Sequence, residues 1–444
     1  MKLKNRDRFF LFAYFISIIL LGSFLLLIPS AWRGPERLRY IDALFTSTSA
    51  VCVTGLTAVD TSLFSLFGKT VIMLLIQFGG LGIITFTTIF LANPRSKISL
   101  ANRKLIGDYY IPSVEADPRR IIRSILLFTI VIEALGALLI YSRFRLTVHE
   151  RPVFTSVFHA ISAFCNAGFS TFSANLEGYV ADPVINSAIM ILLVLGGLGF
   201  VVIEDLLERM IGRRSRLAVH TRLVVGMSLA LIITGAAVYL IFEWGNAYAA
   251  LSAPQKIMAS LFQAVTPRTA GFDTVAQAGL SMPSRAFTLL LMYIGASPAS
   301  TGGGIKTTTF FIVLVMILRG SEAREDIRIF RKKVSSASIN RGMMLALRAM
   351  AILAIAVFVL TITELLLSPH KGTLFIQVIF ETFSAFGTVG LSLGLTPLLS
   401  GAGKAVIILT MFAGRVGMSA LAISIPRTLP KRAVDVPEEE VLIG

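Results

Sequence analysis

Four times along this chain a short apolar segment ends in the pattern x-x-Gly-[Leu/Phe], each time between two longer apolar runs. The long runs lie at about 9–29, 70–92, 121–141, 185–207, 222–242, 284–318, 343–367 and 404–425. Crossing about 30 Å of hydrocarbon takes roughly 20 helical residues, so these eight are candidate spans. The segments between them are IDALFTSTSAVCVTGLT (41–57), FTSVFHAISAFCNAGFS (154–170), IMASLFQAVTPRTAGFD (257–273) and IQVIFETFSAFGTVGLS (376–392). Each is too short to span and closes on small residues, the profile of a re-entrant segment. They align without gaps on Val53-Thr54-Gly55-Leu56, Asn166-Ala167-Gly168-Phe169, Thr269-Ala270-Gly271-Phe272 and Thr388-Val389-Gly390-Leu391. Two residues past the glycines stand Thr57, Ser170, Asp273 and Ser392; ten before stand Phe45, Phe158, Leu261 and Phe380. One unit of helix, re-entrant loop and helix therefore occurs four times.

Composition agrees. Hydrophobic residues make up 55% of the chain and charged residues 15%, against about 25% charged in a soluble domain. Mean hydropathy is +0.79. Soluble enzymes, disulfide scaffolds and disordered tails are excluded, and unbroken apolar runs argue against an alternating transmembrane barrel. Cys52 and Cys165 build no disulfide framework, and four histidines form no zinc-type pair. The first run follows Lys2, Lys4, Arg6 and Arg8 but is too long for a signal peptide's core and precedes no small-x-small cleavage site, so it reads as a span. Of 41 Lys and Arg, 27 fall on the side of the termini and 11 on the other. That bias predicts cytoplasmic termini. The net charge of +16 is then mostly topological and not a sign of nucleic-acid binding, and the cytoplasmic face would also suit anionic lipid or an acidic partner.

Four equivalent loops imply a pseudo-fourfold axis. No ring of Asp or Glu stands at the glycines, which leaves backbone carbonyls as ligands. Carbonyl rings replace a cation's hydration shell in potassium filters. Glycine suits that place because it tolerates positive φ, and helix C-termini aimed at the centre would each add about half a negative charge. One glycine in a membrane loop is usually a turn; four in register are not.

The sixth run is interrupted by GASPASTGGGIKTTT (295–309), where Pro298 and Gly302, Gly303 and Gly304 disfavour helix. Broken helix at membrane depth must line a cavity or be buried in protein. The other even runs carry only Gly79-Gly80, Gly196-Gly197 and Ala413-Gly414. The loop containing Pro298, Ser300, Thr301, Gly302–Gly304 and Lys306 is therefore expected to close the pore below the filter, Lys306 adding electrostatic repulsion. Arg268 and Arg415 lie at membrane depth and are functional candidates. Arg268 is expected to brace its loop from behind, on Glu381 or Asp273; Arg415 to brace the loop or line the pore. Glu133 and Glu364 are candidate counter-ions. Cys52 and Cys165 read as small buried residues, and His159 as a hydrogen-bonding core residue. The charged run 319–333 reads as a solvated cytoplasmic helix suited to partner docking, and the tail 436–444, apolar after three Glu, as a segment docked at a dimer interface.

The runs AVTPRTAGF (264–272), FETFSAFGTVGL (380–391), GASPASTGGGIKTTTF (295–310), FHAISAFCNAGF (158–169) and the terminal EEEVLIG resemble the potassium-transporting membrane subunit of the Ktr type, in the Ktr/Trk/HKT superfamily of cation translocators. The resemblance covers essentially the whole chain. It implies an all-α polytopic protein of the bacterial plasma membrane, with eight spanning helices and four pore helices in four tandem repeats (1–110, 111–216, 217–335 and 336–444). It implies a homodimer with one pore per subunit, gated by a cytosolic ring of nucleotide-binding regulatory subunits. Sodium-passing members commonly have Ser at the first filter glycine; Gly55 points to K⁺, with Na⁺ as activator or coupled ion. A Na⁺-conducting or Na⁺/K⁺-symporting member is the alternative. A solute symporter is disfavoured because such folds use inverted halves. No Walker A sequence, metal set or other catalytic cluster suggests an enzyme or a bound cofactor.

Overall fold

The computed structural model describes residues 5–92, 118–212, 215–319, 328–329, 332–367 and 375–417. These are almost entirely helical. In chain order the helices are α1 (Asn5–Leu27), α2 (Tyr40–Val51), α3 (Leu66–Ala92), α4 (Pro118–Thr147), α5 (Pro152–Phe164), α6 (Pro183–Leu198), α7 (Phe200–Met210), α8 (Val219–Glu243), α9 (Ala253–Val265), α10 (Met282–Tyr293), α11 (Thr307–Arg319), α12 (Ser336–Leu367), α13 (Phe375–Gly387) and α14 (Gly401–Phe412). The last passes into a π-helical turn, Ala413–Gly417.

The short helices α2, α5, α9 and α13 are the segments that precede the four glycine loops. Local sequence starts them and their neighbours. Pro152 opens α5; Ser252 and Gln255 form a capping box on α9; Asp182 caps α6 by accepting from the amides of Val184 and Ile185. Each short helix packs on the long helix before it. Each also touches the helix that follows the preceding short one: α3 lies on α5, α6 on α9, α10 on α13, and α14 on α2. The last contact joins the end of the chain to its beginning and closes the packing into a ring. Phe45, Phe158 and Phe380, ten residues before their glycines, are fully buried in it.

Three helical stretches, Ile122–Thr147, Val219–Glu243 and Ser336–Leu366, are each long and apolar enough to cross a bilayer; α6 and α7 together make a fourth if they count as one span. Among the described residues, two of the eight expected spans are broken. The sixth divides into α10 and α11, as Pro298 and the glycines predict. The fourth, expected to be continuous, bends by 103° between α6 and α7. The eighth is described only as far as 417. In the charged run 319–333, the described part after α11 is not helical: Arg328–Ile329 pairs antiparallel with Lys332–Lys333. Like charges at 328, 331 and 332 would repel one another at helical spacing. The tail at 436–444 lies outside the described residues.

Ring closure is marked by a buried ion pair. Lys404 Nζ on α14 lies 2.6 Å from Asp42 Oδ1 on α2, with side chains 1% and 4% exposed. Arg39, 70% exposed, reaches the other carboxylate oxygen at 2.9 Å. Removing one partner of a buried pair costs about 3–5 kcal/mol, whereas an exposed pair is worth up to about 1 kcal/mol. Lys404→Met should therefore lower the Tm of the purified protein far more than Arg39→Met does. Equal drops would show that the buried pair does not hold the ring closed.

Candidate functional site

The four glycine loops share one backbone conformation. The residue two before each glycine is left-handed: Val53 (φ 56°), Asn166 (59°), Thr269 (67°) and Thr388 (49°). The glycines also have positive φ: Gly55 (93°), Gly168 (67°), Gly271 (71°) and Gly390 (97°). The intervening residues are Thr54, Ala167, Ala270 and Val389. In three loops the intervening amide returns to a helix carbonyl: Thr54 to Ser49, Ala167 to Ser162 and Val389 to Ser384. In the remaining loop Thr266 O accepts from both Ala270 and Gly271.

Each glycine lies against the next loop. A Cβ built on Gly55 would sit 2.5 Å from Ala167 O, and one on Gly168 2.7 Å from Ala270 O. On Gly271 it would strike Val389 O, and on Gly390 Thr54 O. The four loops thus meet one another in chain order, at a spacing only glycine permits. The hydroxyl oxygens of Thr54, Thr269 and Thr388 are buried with no hydrogen-bond partner among the described residues. No group of three or more His, Cys, Asp or Glu gathers among those residues. The oxygens concentrated here are carbonyls and hydroxyls, the hard ligands that suit alkali and alkaline-earth cations.

Buried polar side chains brace the loops from behind. Glu381 accepts from Ser392 Oγ (2.5 Å), Thr396 Oγ1 (2.6 Å) and the amides of Leu393 and Leu395. His159 bridges Thr155 O and Ser170 Oγ. In the third loop Gln277 donates to Asp273 and pairs with Gln263. Ser170, Asp273 and Ser392 are the residues two past the glycines, so three loops are fixed at the same point by different chemistry. Asp60, in the loop after α2, accepts from Ser173 Oγ (2.5 Å) and Ser62 N (2.8 Å). Burial pushes its carboxyl up, but these hydrogen bonds and Lys69 outweigh it and hold the group below its ordinary range.

The break in the sixth span packs directly against the glycine loops. A Cβ on Gly302 would meet Thr269 Oγ1, and one on Gly303 would meet Thr388 Oγ1. Thr301 Oγ1 donates to Gly196 O (3.0 Å) and Phe164 O (3.3 Å). Ser300 Oγ donates to Ser297 O at 2.6 Å. The bend at Gly199 (φ 90°) is made by this loop: Phe200 N donates to Ala299 O at 3.1 Å, and Pro298 O occupies the place a Gly199 side chain would need. Gly304, at φ 63°, turns the chain back so that Gly295 N reaches Ile305 O at 2.7 Å. Lys306 Nζ folds back onto Gly302 O at 2.7 Å.

Of the two membrane-depth arginines, Arg415 braces the broken span. It lies in the π-helical turn, is 1% exposed, and donates to Thr301 O and to Gly79 O. Arg268 does not reach Glu381, both of whose oxygens are held by the groups named above, or Asp273, which accepts from Gln277; its NH2 donates to Ser228 Oγ on α8 at 3.3 Å. Glu133 accepts from Gln77 (3.1 Å) and Glu364 from Ser400 (2.8 Å). Cys52 and Cys165 are free and buried. Sequence reasoning missed Asn175, whose Nδ2 lies 3.3 Å from Gly168 O and 3.4 Å from Gly271 O. Its only signal was an Asn seven residues past a loop glycine, where the other loops have Ser62, Ala278 and Pro397.

An apolar helical frame closed around four oxygen-lined loops has the form of a cation-translocating membrane protein. Comparison with known proteins places it further: the TrkH family, described as cation transport protein, matches residues 5–434. The chain belongs to this family, whose members are transporters and not enzymes. It is 40% identical over 435 residues to Ktr system potassium uptake protein B of Bacillus subtilis, covering 97% of this chain and 95% of that protein. It is 33% identical to potassium/sodium uptake protein NtpJ of Enterococcus hirae, covering 97% and 96%. The crystal structure of the potassium transporter TrkH from Vibrio parahaemolyticus has the same fold, with TM-score 0.75 and 20% identity over 96% of this chain and 86% of that one.

Gly79, Gly196 and Gly414 seat three of the loops: a Cβ on each would strike the carbonyl of Val51, Phe164 or Phe386 at the end of a short helix. Gly226 on α8 has nothing within 4 Å. Gly226→Ala should raise Tm slightly, since Ala is favoured in a helix by up to about 1 kcal/mol. Gly196→Ala should lower it and weaken transport. Matching behaviour of the two variants would show that the loop has room to retreat.

Proposed function

We propose that this chain takes K⁺ into the cell through a pore whose selectivity filter is the ring of carbonyls from Val53–Gly55, Asn166–Gly168, Thr269–Gly271 and Thr388–Gly390. The observation that carries the reading is the mutual contact of four loops with one backbone conformation, which gathers carbonyl oxygens at a single place. Unpartnered Thr54, Thr269 and Thr388 hydroxyls supply further cation ligands. In this reading the molecule is four tandem units (1–110, 111–216, 217–335 and 336–444), eight spans and four re-entrant helices around a pseudo-fourfold axis, with both termini in the cytoplasm. The short helices then turn their negative ends toward the ion.

The broken segment 295–309 is the gate. It sits against Thr269 and Thr388, and Arg415 holds it through Thr301. Opening requires it to leave the pore, so the energy comes from outside this chain: a cytosolic nucleotide-binding ring bound to a homodimer of it. The name of the Bacillus subtilis relative favours K⁺. The name of the Enterococcus hirae relative is the observation in favour of a second reading, in which Na⁺ passes or is coupled as well.

Rubidium tracer uptake into proteoliposomes containing the chain tests the filter. External K⁺ should compete and Na⁺ should not, and Gly55→Ser should let Na⁺ compete. A Gly55→Ser protein with unchanged discrimination would remove this ring from the pathway. Deleting 300–304 should raise uptake without any cytosolic partner; unchanged uptake would mean that the segment is a packing element.

A further inference from the structure

We infer that Asn175 is a specificity-determining positioning residue for the carbonyls of Gly168 and Gly271. This rests on the carbonyl-filter reading above. Asn175 follows the second glycine loop and has left-handed backbone, φ 49°. Its amide nitrogen donates to Gly168 O and Gly271 O, two filter-type glycine carbonyls from adjacent loops. Its Oδ1 is buried with no partner among the described residues, so the amide is aimed by its donor end. The same stretch is fixed to the third loop by Leu176 N, which donates to Asp273 O at 2.9 Å. The equivalent positions are Ser62, Ala278 and Pro397. None is an amide, so one loop alone supplies this bridge.

The bridge acts on an ion in two ways. It ties two neighbouring carbonyls at a fixed separation, so the ring does not shrink around a smaller cation. It also places two N–H donors on oxygens that would otherwise turn their full field toward the ion. A stronger field favours the smaller, more tightly hydrated Na⁺. Both effects work against Na⁺, and both are lost with the amide.

The left-handed backbone gives a way to separate this from a turn-forming role. Glycine takes the same φ without strain. Asn175→Gly keeps the turn and removes the amide; Asn175→Asp keeps the side-chain shape and removes both donors. The experiment is a titration of the purified full-length protein with KCl or NaCl against a choline background, reading Tm. A cation that binds only the folded protein raises Tm with a concentration dependence set by its Kd. Losing a hydrogen bond of ordinary strength corresponds to about fivefold in an equilibrium constant. In Asn175→Gly the half-point for Na⁺ relative to that for K⁺ should therefore fall about fivefold, and in Asn175→Asp it should move the same way. Asn175→Asp also serves if the Gly variant is too unstable to titrate. A ratio equal to wild type in both variants overturns the inference. Gly55→Ser, titrated alongside, shows what has failed. If it changes the ratio and the Asn175 variants do not, Asn175 only forms a turn. If none of the three changes it, the carbonyl-filter reading falls as well.

Discussion

Contact between four peptide segments, each with a glycine where its neighbour's carbonyl arrives, is the constraint that the remaining structure serves. It is unfavourable in itself. Val53, Thr269 and Thr388 hold left-handed backbone, which β-branched residues adopt at a cost of about 1–3 kcal/mol each. Carbonyls crowded together repel, and the hydroxyls of Thr54, Thr269 and Thr388 stand buried with no partner among the described residues. The packing of each short helix between two long ones supplies what offsets these terms, and the aromatic side chains at Phe45, Phe158 and Phe380 put large apolar area into that packing.

Symmetry holds in the backbone and lapses in the side chains. The same point past the glycine is fixed by an imidazole in the second loop, an amide pair in the third and a carboxylate in the fourth. Such interchange is tolerable because what matters there is a satisfied buried donor or acceptor and not its identity. Where the broken sixth span intrudes, symmetry fails outright: Gly302 and Gly303 lie against the third and fourth loops, and Thr301 against Phe164 at the end of the helix that leads into the second.

Much of this was legible in the residues. Four glycines in ungapped register told where the loops are, and long apolar runs told where the helices are, because both signals are local. The bend in the fourth span was not. Gly79-Gly80-Leu81-Gly82 and Gly196-Gly197-Leu198-Gly199 are the same four residues, yet the first lies within a continuous helix and the second ends one. The difference is Ala299, about a hundred residues on, whose carbonyl takes the Phe200 amide. The partners expected for Arg268 failed for the same kind of reason. Its carboxylate candidates are engaged by their own loops, and sequence separation says nothing of which oxygens are already taken.

The buried Asp42–Lys404 pair joins residues 362 apart. In a chain made from one end, Asp42 enters its helix pair when nine-tenths of the protein is still to come. Until α14 is in place, α2 has no neighbour on that side, and its carboxylate must stay with Arg39 or water. Assembly of this ring is therefore completed by its last helix. A polypeptide that stops short of it has an unsealed seam between its first and fourth units, with Asp42 left to Arg39 alone.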